Sequence, residues 1–299
     1  MNDNNDDAAN PIYIGPAGWH YDDWKGIVYP SPMPSGVKPL SLICRSFDLV
    51  EINVTFYRLI NPKICAGWIM QCRANPRFLF TAKLPQVLTH GRDAIPDSTA
   101  VRGFQAGVRP LLEADRLGAV LAQFPWSFRR TPENRRYLAR LADLCASLPL
   151  AIEVRHRSWD CPEFYESLRE RNIACCNIDQ PVLDQCLPPA AHVTGSIAYV
   201  RLHGRNRACW FGDAGRDARY NYLYSGKELA PWIQRILEMK TMVQRLFVVT
   251  NNHYRGQAVV NALEMQAALG ILRSEIPQPL RQCYPHLSEL QPRTAPGTP

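Results

Sequence analysis

Short apolar runs recur along the chain, and several of them end abruptly in charged or amide side chains. Examples span residues 49–53, 151–155, 199–203 and 247–252. Buried parallel strands read as short apolar runs. Polar groups at the carboxyl ends of such strands are where α/β proteins place their chemistry. The pattern therefore predicts a functional site built from strand ends.

Eight runs of this kind predict eight β-strands, at residues 12–15, 49–52, 78–83, 119–123, 150–154, 173–177, 197–202 and 246–250. Apolar residues at helical spacing predict helices between most of them, at residues 37–47, 62–72, 99–115, 132–147, 162–171, 227–240 and 257–269. Asn61 and Thr131 are the expected N-caps of two of these helices, and each precedes a proline at the first helical position. The sixth connection, residues 178–196, contains prolines and lacks a helical pattern, so we expect its helix to be reduced or missing.

Alternation of strands and helices indicates an α/β fold with a parallel sheet. Eight units in 299 residues point to a single (β/α)8 TIM-like barrel over residues 11–275. A doubly wound open sheet is the alternative. The first strand is not followed by G-x-G-x-x-G, and a P-loop is absent from the sequence, which argues against dinucleotide binding.

The two ends of the chain differ in composition from the barrel segment. Residues 1–10 are acidic and rich in Asn and Asp, which predicts a disordered leader and is the opposite of a secretory signal. Residues 276–299 form a proline-rich tail that we expect to be extended. No apolar stretch approaches the roughly 18 residues that span a bilayer. The ten cysteines lack any C-x-x-C pair, so a cytoplasmic protein with buried thiols is the simplest interpretation.

Several motifs together resemble one known family. The longest is Glu51-Ile52-Asn53-Val54-Thr55-Phe56-Tyr57-Arg58, and others lie at residues 18–19, 24–26, 80–83, 123–125, 153–156, 199–204, 220–224 and 251–258. In this order they are similar to the YecE-like family, also called domain of unknown function 72, over roughly residues 12–270. The resemblance implies a TIM barrel and supplies no activity. Ala17 stands where the resemblance implies a small hydroxyl residue before Gly18-Trp19.

In a TIM barrel the side chains that follow the strands converge on one face. We expect a shared cleft there, formed by Glu51, Asn53, Lys83, Gln123, Glu153, Arg155, Asp179, Arg201, His203 and Asn252. Three pairs of these residues are two positions apart: Glu51 with Asn53, Glu153 with Arg155, and Arg201 with His203. Because side chains alternate along a strand, the two side chains of each pair point to the same side of the sheet.

Three of these residues are the predicted catalytic groups. Glu51 and Glu153 can act as general acid and general base if their surroundings separate their pKa values, and His203 is a further base. The predicted substrate-binding residues are Asn53, Tyr57, Lys83, Gln123, Arg155, Asp179, Arg201 and Asn252.

The basic residues favour a small anionic or sugar-like ligand, because two guanidinium groups can bind a carboxylate or phosphate bidentately. The net charge of +7 also favours an anionic partner. Glu51, Glu153, Asp179 and His203 also suit a divalent metal ion, but three cations are predicted in the same space, so no cofactor is predicted. We therefore expect an enzyme of the hydrolase, lyase or isomerase type. A nucleic-acid-processing barrel and a non-catalytic ligand-binding barrel are the alternatives.

Overall fold

The computed structural model of the protein describes residues 12–210 and 215–292. The predicted disordered leader at residues 1–10 and the last part of the tail, residues 293–299, lie outside the described residues.

Eight parallel strands form one sheet that curves into a barrel. They are β1 (Ile12–Pro16), β2 (Leu49–Ile52), β3 (Leu79–Lys83), β4 (Leu117–Gln123), β5 (Leu150–Glu153), β6 (Ala174–Asp179), β7 (Ile197–Leu202) and β8 (Arg245–Thr250). Hydrogen-bonded neighbours follow the order β1-β8-β7-β6-β5-β4-β3-β2. Between β2 and β1 the barrel closes just beyond β1, where Ala17 bridges to Glu51 and the Gly18 N–H donates to the Glu51 carbonyl at 2.9 Å. The predicted (β/α)8 barrel is confirmed.

The helices pack around this barrel. They are α1 (Pro39–Ser46), α2 (Val54–Tyr57), α3 (Pro62–Gln71), α4 (Ser98–Glu113), α5 (Pro132–Leu144), α6 (Pro162–Glu170), α7 (Gly215–Tyr220), α8 (Gly226–Lys240), α9 (Gln257–Ala268) and α10 (Gln278–Cys283). Short 3-10 turns lie at Asp22–Trp24, Gln86–Leu88, Arg157–Trp159, Arg207–Cys209, Tyr254–Gly256 and Pro285–Glu289. Asn61 and Thr131 cap α3 and α5 with their side chains, as predicted. Within the described ranges, no helix has the length and apolar character that a membrane crossing requires.

The connection between β6 and β7 contains no helix, as the sequence predicts. Hydrogen bonds from side chains to the backbone hold this loop against β6 instead. The Thr194 hydroxyl accepts from the Cys175 N–H and donates to the Ile173 carbonyl, both at 2.7 Å. The Asn177 amide exchanges two hydrogen bonds with the backbone of His192. Because buried backbone groups need partners, these bonds allow the barrel to remain covered at this position without a helix.

Alternate residues of each strand face either the interior of the barrel or the surrounding helices. The residues that face the interior of the barrel form a separate apolar cluster, smaller than the one between the barrel and the helices. Among its members are Leu49, Leu121, Ala151, Cys176, Tyr199 and Val249. The same alternation continues towards the carboxyl ends of the strands, where the inward positions become charged or polar. The barrel therefore presents a polar layer on top of an apolar core.

The C-terminal segment packs onto the barrel as far as Leu290. We expected an extended tail, but α10 and the 3-10 turn at Pro285–Glu289 are helical. Leu280 and Leu287 are fully buried, and the Tyr284 hydroxyl donates to the Arg255 carbonyl at 2.8 Å. Prolines obscured the pattern in the sequence, because each occurs at the start of its short helical turn, where proline is tolerated.

Candidate active site

A cavity of about 300 Å³ opens at the carboxyl ends of the strands. Six predicted site residues line it, namely Asn53, Tyr57, Lys83, Gln123, Arg155 and Arg201. The remaining wall consists of Gly18, Trp19, His20, Tyr21, Val54, Tyr220, Asn251 and His253. The cavity thus joins a cationic inner surface to an aromatic rim.

Arg201 lies between two carboxylates in the interior of the barrel. Its Nη1 lies 2.6 Å from Oε2 of Glu153, and its Nη2 lies 2.7 Å from Oε1 of Glu51. The Tyr199 hydroxyl donates to the second oxygen of Glu51 at 2.9 Å. All these side chains are buried. Burial alone would lower the pKa of Arg201, but Glu153 and Glu51 raise it well above its usual value.

Glu153 is the most heavily bonded carboxylate of the cluster. Its Oε1 accepts from Nε of Arg155 at 2.9 Å, in addition to the bond that Oε2 receives from Arg201. Burial alone would raise the pKa of Glu153, but the neighbouring cations, led by Arg201, lower it well below its usual value. Glu153 therefore stays ionised at neutral pH, and both of its oxygens are occupied.

His203 is buried beside this carboxylate and uses both ring nitrogens. Its Nε2 lies 3.1 Å from Oε1 of Glu153, and its Nδ1 lies 3.0 Å from Nδ2 of Asn251. Burial lowers the pKa of His203 to about 3, although Glu153 opposes the shift. The ring is therefore neutral at pH 7, and the bonds assign its proton to Nε2.

Lys83, at the end of β3, differs from the other cations because it makes no ion pair with any described residue. Its Nζ donates to Oε1 of Gln123 at 3.0 Å and lies 4.3 Å from the centre of the Phe56 ring. Burial lowers the pKa of Lys83 to about 8, and Arg201 adds to this effect. A neutral amide and an aromatic ring stabilise the charge of a buried ammonium group less than a carboxylate would.

Asp179 and Asn252 do not share the cleft, which corrects the sequence prediction. Asp179 lies on the outer side of β6, where its oxygens accept from Arg205, Tyr224 and Trp232. Asn252 donates to the Tyr222 carbonyl and to Asn261 behind β8. The reason is strand alternation, because the inward positions of β6 and β8 include Cys176 and Val249, which leaves Asp179 and Asn252 on the outward side.

Asn251 occupies the position in the cleft that the sequence pattern predicts for Asn252. It lines the cavity and bonds to His203. Counting alternate residues from Phe247 and Val249 identifies Asn251 as the inward-facing asparagine, so the signal was present in the sequence. His253 also lines the cavity, and its ring stacks on Tyr21 with 4.5 Å between centroids.

The predicted metal ligands are divided between two places. Asp179 lies outside the barrel, while Arg201 lies between Glu51 and Glu153. Among the described residues, no group of three or more His, Cys, Asp or Glu side chains is arranged to hold a metal ion. The polar centre of the barrel is therefore an array of ion pairs.

A larger groove of about 740 Å³ lies at the opposite, amino-terminal end of the strands. Within it Asp48 pairs with Arg77 and Arg273, each at 3.4 Å. Because the chemistry of TIM barrels is located at the carboxyl ends of the strands, the smaller cavity is the candidate active site.

Comparison with known proteins gives consistent relatives. Residues 13–284 match the family model described as "Protein of unknown function DUF72". The chain is 31% identical over 274 residues to the UPF0759 protein YunF of Bacillus subtilis, which covers 87% of this chain and 95% of YunF. It is 28% identical over 177 residues to the UPF0759 protein YecE of Escherichia coli O157:H7, which covers 58% of this chain and 59% of YecE.

Solved structures of similar proteins have the same architecture. A DUF72 family protein from Thermotoga maritima is 35% identical, covers 86% of this chain and 98% of its own, and gives a TM-score of 0.74. A DUF72 family protein from Enterococcus faecalis is 26% identical, covers 89% of this chain and 98% of its own, and gives a TM-score of 0.76. Fold, motifs and relatives agree, and the chain belongs to the DUF72 family of TIM-barrel proteins.

Proposed function

We propose that this protein is an enzyme that carries out acid–base chemistry on a small anionic substrate bound in the cavity at the carboxyl ends of the strands. The observation that carries the proposal is the unequal distribution of charge around that cavity. Glu51 and Glu153 are both engaged by Arg201, and Glu153 also pairs with Arg155. Lys83 is left as an excess positive charge that faces the cavity.

An anion would complete this charge balance. A buried or half-buried cation without a counter-ion is costly, and a carboxylate or phosphate in the cavity would remove that cost. Arg155 and Lys83 line the cavity and carry donors suited to such a group. Asn53, Gln123 and Asn251 provide amide groups that can orient the rest of a polar substrate.

The three predicted catalytic residues, Glu51, Glu153 and His203, are completely buried beneath the cavity. Their bonds to Arg201, Arg155 and Asn251 favour a positioning role, in which they hold the cationic surface in place. Proton transfer to the substrate is assigned instead to Lys83, because its amine faces the cavity and titrates closer to neutral pH than an ordinary lysine.

Anion binding can be tested by isothermal titration calorimetry with malonate and inorganic phosphate. We expect Lys83→Met and Arg155→Gln to weaken binding by about tenfold each, equivalent to about 1.4 kcal/mol. Lys63→Met, on the exposed surface of α3, is the matched control and should bind as the wild type does. Equal affinity in all four proteins would contradict an anion site in this cavity.

Catalysis requires a separate measurement. In D₂O, proton NMR should detect exchange of a carbon-bound hydrogen next to the carboxylate or carbonyl of a bound substrate, and Lys83→Met should abolish this exchange. Bound anions that neither exchange nor turn over would identify the protein as a non-catalytic ligand-binding barrel.

A further inference from the structure

The partners of the Lys83 amine are an amide oxygen and an aromatic ring, and neither requires the amine to be charged. Gln123 accepts from Nζ through Oε1, and its own Nε2 donates to the Phe124 carbonyl at 2.8 Å. This second bond fixes the amide so that its oxygen points to Lys83. The Thr55 hydroxyl donates to the Lys83 carbonyl at 2.7 Å and holds the end of β3. The amine is therefore oriented without a carboxylate.

Charged and titratable groups surround Lys83 on several strands. Burial opposes the protonation of Lys83 most strongly, and Arg201 and Arg155 add to this effect, while Glu51 and Glu153 favour protonation. His90, after β3, has a pKa lowered to about 4 by burial and by Lys83, so it is neutral at pH 7. With its pKa lowered to about 8, Lys83 carries a larger fraction of free amine at neutral pH than an ordinary lysine does. An unprotonated amine is the form that attacks a carbonyl group.

We propose that Lys83 forms an imine with its substrate, and that the cavity takes small carbonyl compounds that also carry an anionic group, of which 2-oxo acids are the simplest. This inference rests on the proposed anion site. Arg155 would hold the anionic group and bring the carbonyl carbon to Nζ, in a cavity that both residues line.

The step balances without any oxidant or reductant. The Nζ lone pair forms a bond to the carbonyl carbon, and the electron pair of the C=O bond moves to oxygen, which takes up a proton. The nitrogen, which now carries a positive charge, releases one of its two protons and regains its lone pair. The resulting carbinolamine loses water with a second proton as the nitrogen lone pair forms the C=N bond. One proton is consumed from solvent overall, and the product is a protonated imine. Such an imine accepts electrons from the adjacent carbon, which makes a C–H bond there acidic.

Reductive trapping tests the inference directly. Wild-type protein is incubated with pyruvate, 2-oxoglutarate or dihydroxyacetone phosphate, reduced with sodium borohydride, digested and analysed by mass spectrometry. We expect a reduced adduct on Lys83 with at least one of the three, at a level roughly tenfold or more above that on the exposed Lys25. Lactate, which has no carbonyl group, should give none.

Two variants and a binding measurement distinguish a failure of the imine proposal from a failure of the proposed anion site. Lys83→Arg retains the positive charge and should bind pyruvate without forming an adduct at position 83, and Lys83→Met should show neither. Calorimetric binding of a carbonyl compound to the wild type without an adduct on Lys83 would overturn the imine while leaving the anion site intact. Absence of binding by all three compounds, lactate, malonate and phosphate would overturn both proposals.

Discussion

Arg201 on β7 reaches across the interior of the barrel to Glu51 at the end of β2, with 2.7 Å between Nη2 and Oε1. The two residues are 150 positions apart in the chain. Glu51 is fully buried and Arg201 almost fully buried, so the charge of Arg201 depends for its stability on Glu51 and Glu153.

Neutralising Glu51 should destabilise the fold. Glu51→Gln keeps the shape of the side chain but removes one of the two counter-charges of Arg201, and we expect a loss of about 3 kcal/mol in the free energy of unfolding. Urea denaturation followed by circular dichroism measures it. The control is Glu113→Gln, which breaks an exposed pair with Arg109 and should change stability by less than about 1 kcal/mol. Equal effects of the two substitutions would contradict a cooperative buried cluster.

The amine of Lys83 should make stability depend on pH between about 8 and 10. Its folded pKa of about 8 lies below the ordinary value of 10.5, so the unfolded chain binds more protons in this window and the stability of the wild type rises with pH. Lys83→Met removes this dependence. We therefore expect the stability of the variant relative to wild type to be highest below pH 8 and to decline as the pH rises towards 10. Urea denaturation at pH 7 and pH 10 gives the comparison.

Lys63→Met, at an exposed position on α3, provides the reference for this pH series. Its stability difference from wild type should stay constant between the two pH values. A constant difference for Lys83→Met as well would show that Lys83 has an ordinary pKa, which would also weaken its proposed role in proton transfer.

Asp179 should matter for stability and not for ligand binding. Its carboxylate receives four hydrogen bonds from Arg205, Tyr224 and Trp232, which connect the end of β6 to the segment that follows β7 and to α8. Asp179→Asn removes the buried charge opposite Arg205 and should cost about 3 kcal/mol. Thermal unfolding measures the loss, and Asp184→Asn on the exposed loop is the control. Malonate affinity should not change in protein that remains folded, and a large loss of affinity would place Asp179 in the site after all.

Gly15 should be irreplaceable where β1 approaches β2 to close the barrel. A Cβ on this residue would lie 1.9 Å from the Leu49 carbonyl oxygen, which is backbone and cannot rotate away. We expect Gly15→Ala to destabilise the protein by at least about 3 kcal/mol, at the upper end of overpacking effects. In α3, Gly67 has open space where the methyl group of an alanine would lie, so Gly67→Ala should be neutral or should stabilise by about 1 kcal/mol. Similar chemical denaturation midpoints for the two variants would contradict this account.

Much of the candidate site follows from counting along the strands. Inward positions in β7 include Tyr199 and Arg201, and the same alternation reaches His203 just beyond the strand. Applied to β8, the count selects Asn251, and applied to β6 it places Asp179 outside. Predicting that all polar residues at strand ends converge was too broad, because only every second residue faces the barrel interior.

Short helices were beyond the reach of sequence patterns. The helix α2 contains four residues, Val54–Tyr57, all of them β-branched or aromatic, and such residues favour helix only weakly. It forms because the chain must turn after β2, and Thr55 is held there by its bond to the Lys83 carbonyl. Tertiary contacts therefore override the local preference.

The sequence by itself determined the barrel, because the spacing of apolar runs and of helix-capping residues depends on burial and backbone geometry that neighbouring residues already specify. It also determined which strand ends carry charge. Only the tertiary structure decided how those charges are shared. Arg201 pairs with both buried carboxylates, and Lys83 bonds to an amide. These partners are 40 to 150 positions apart in the chain, so the distances across the folded barrel decide which groups interact.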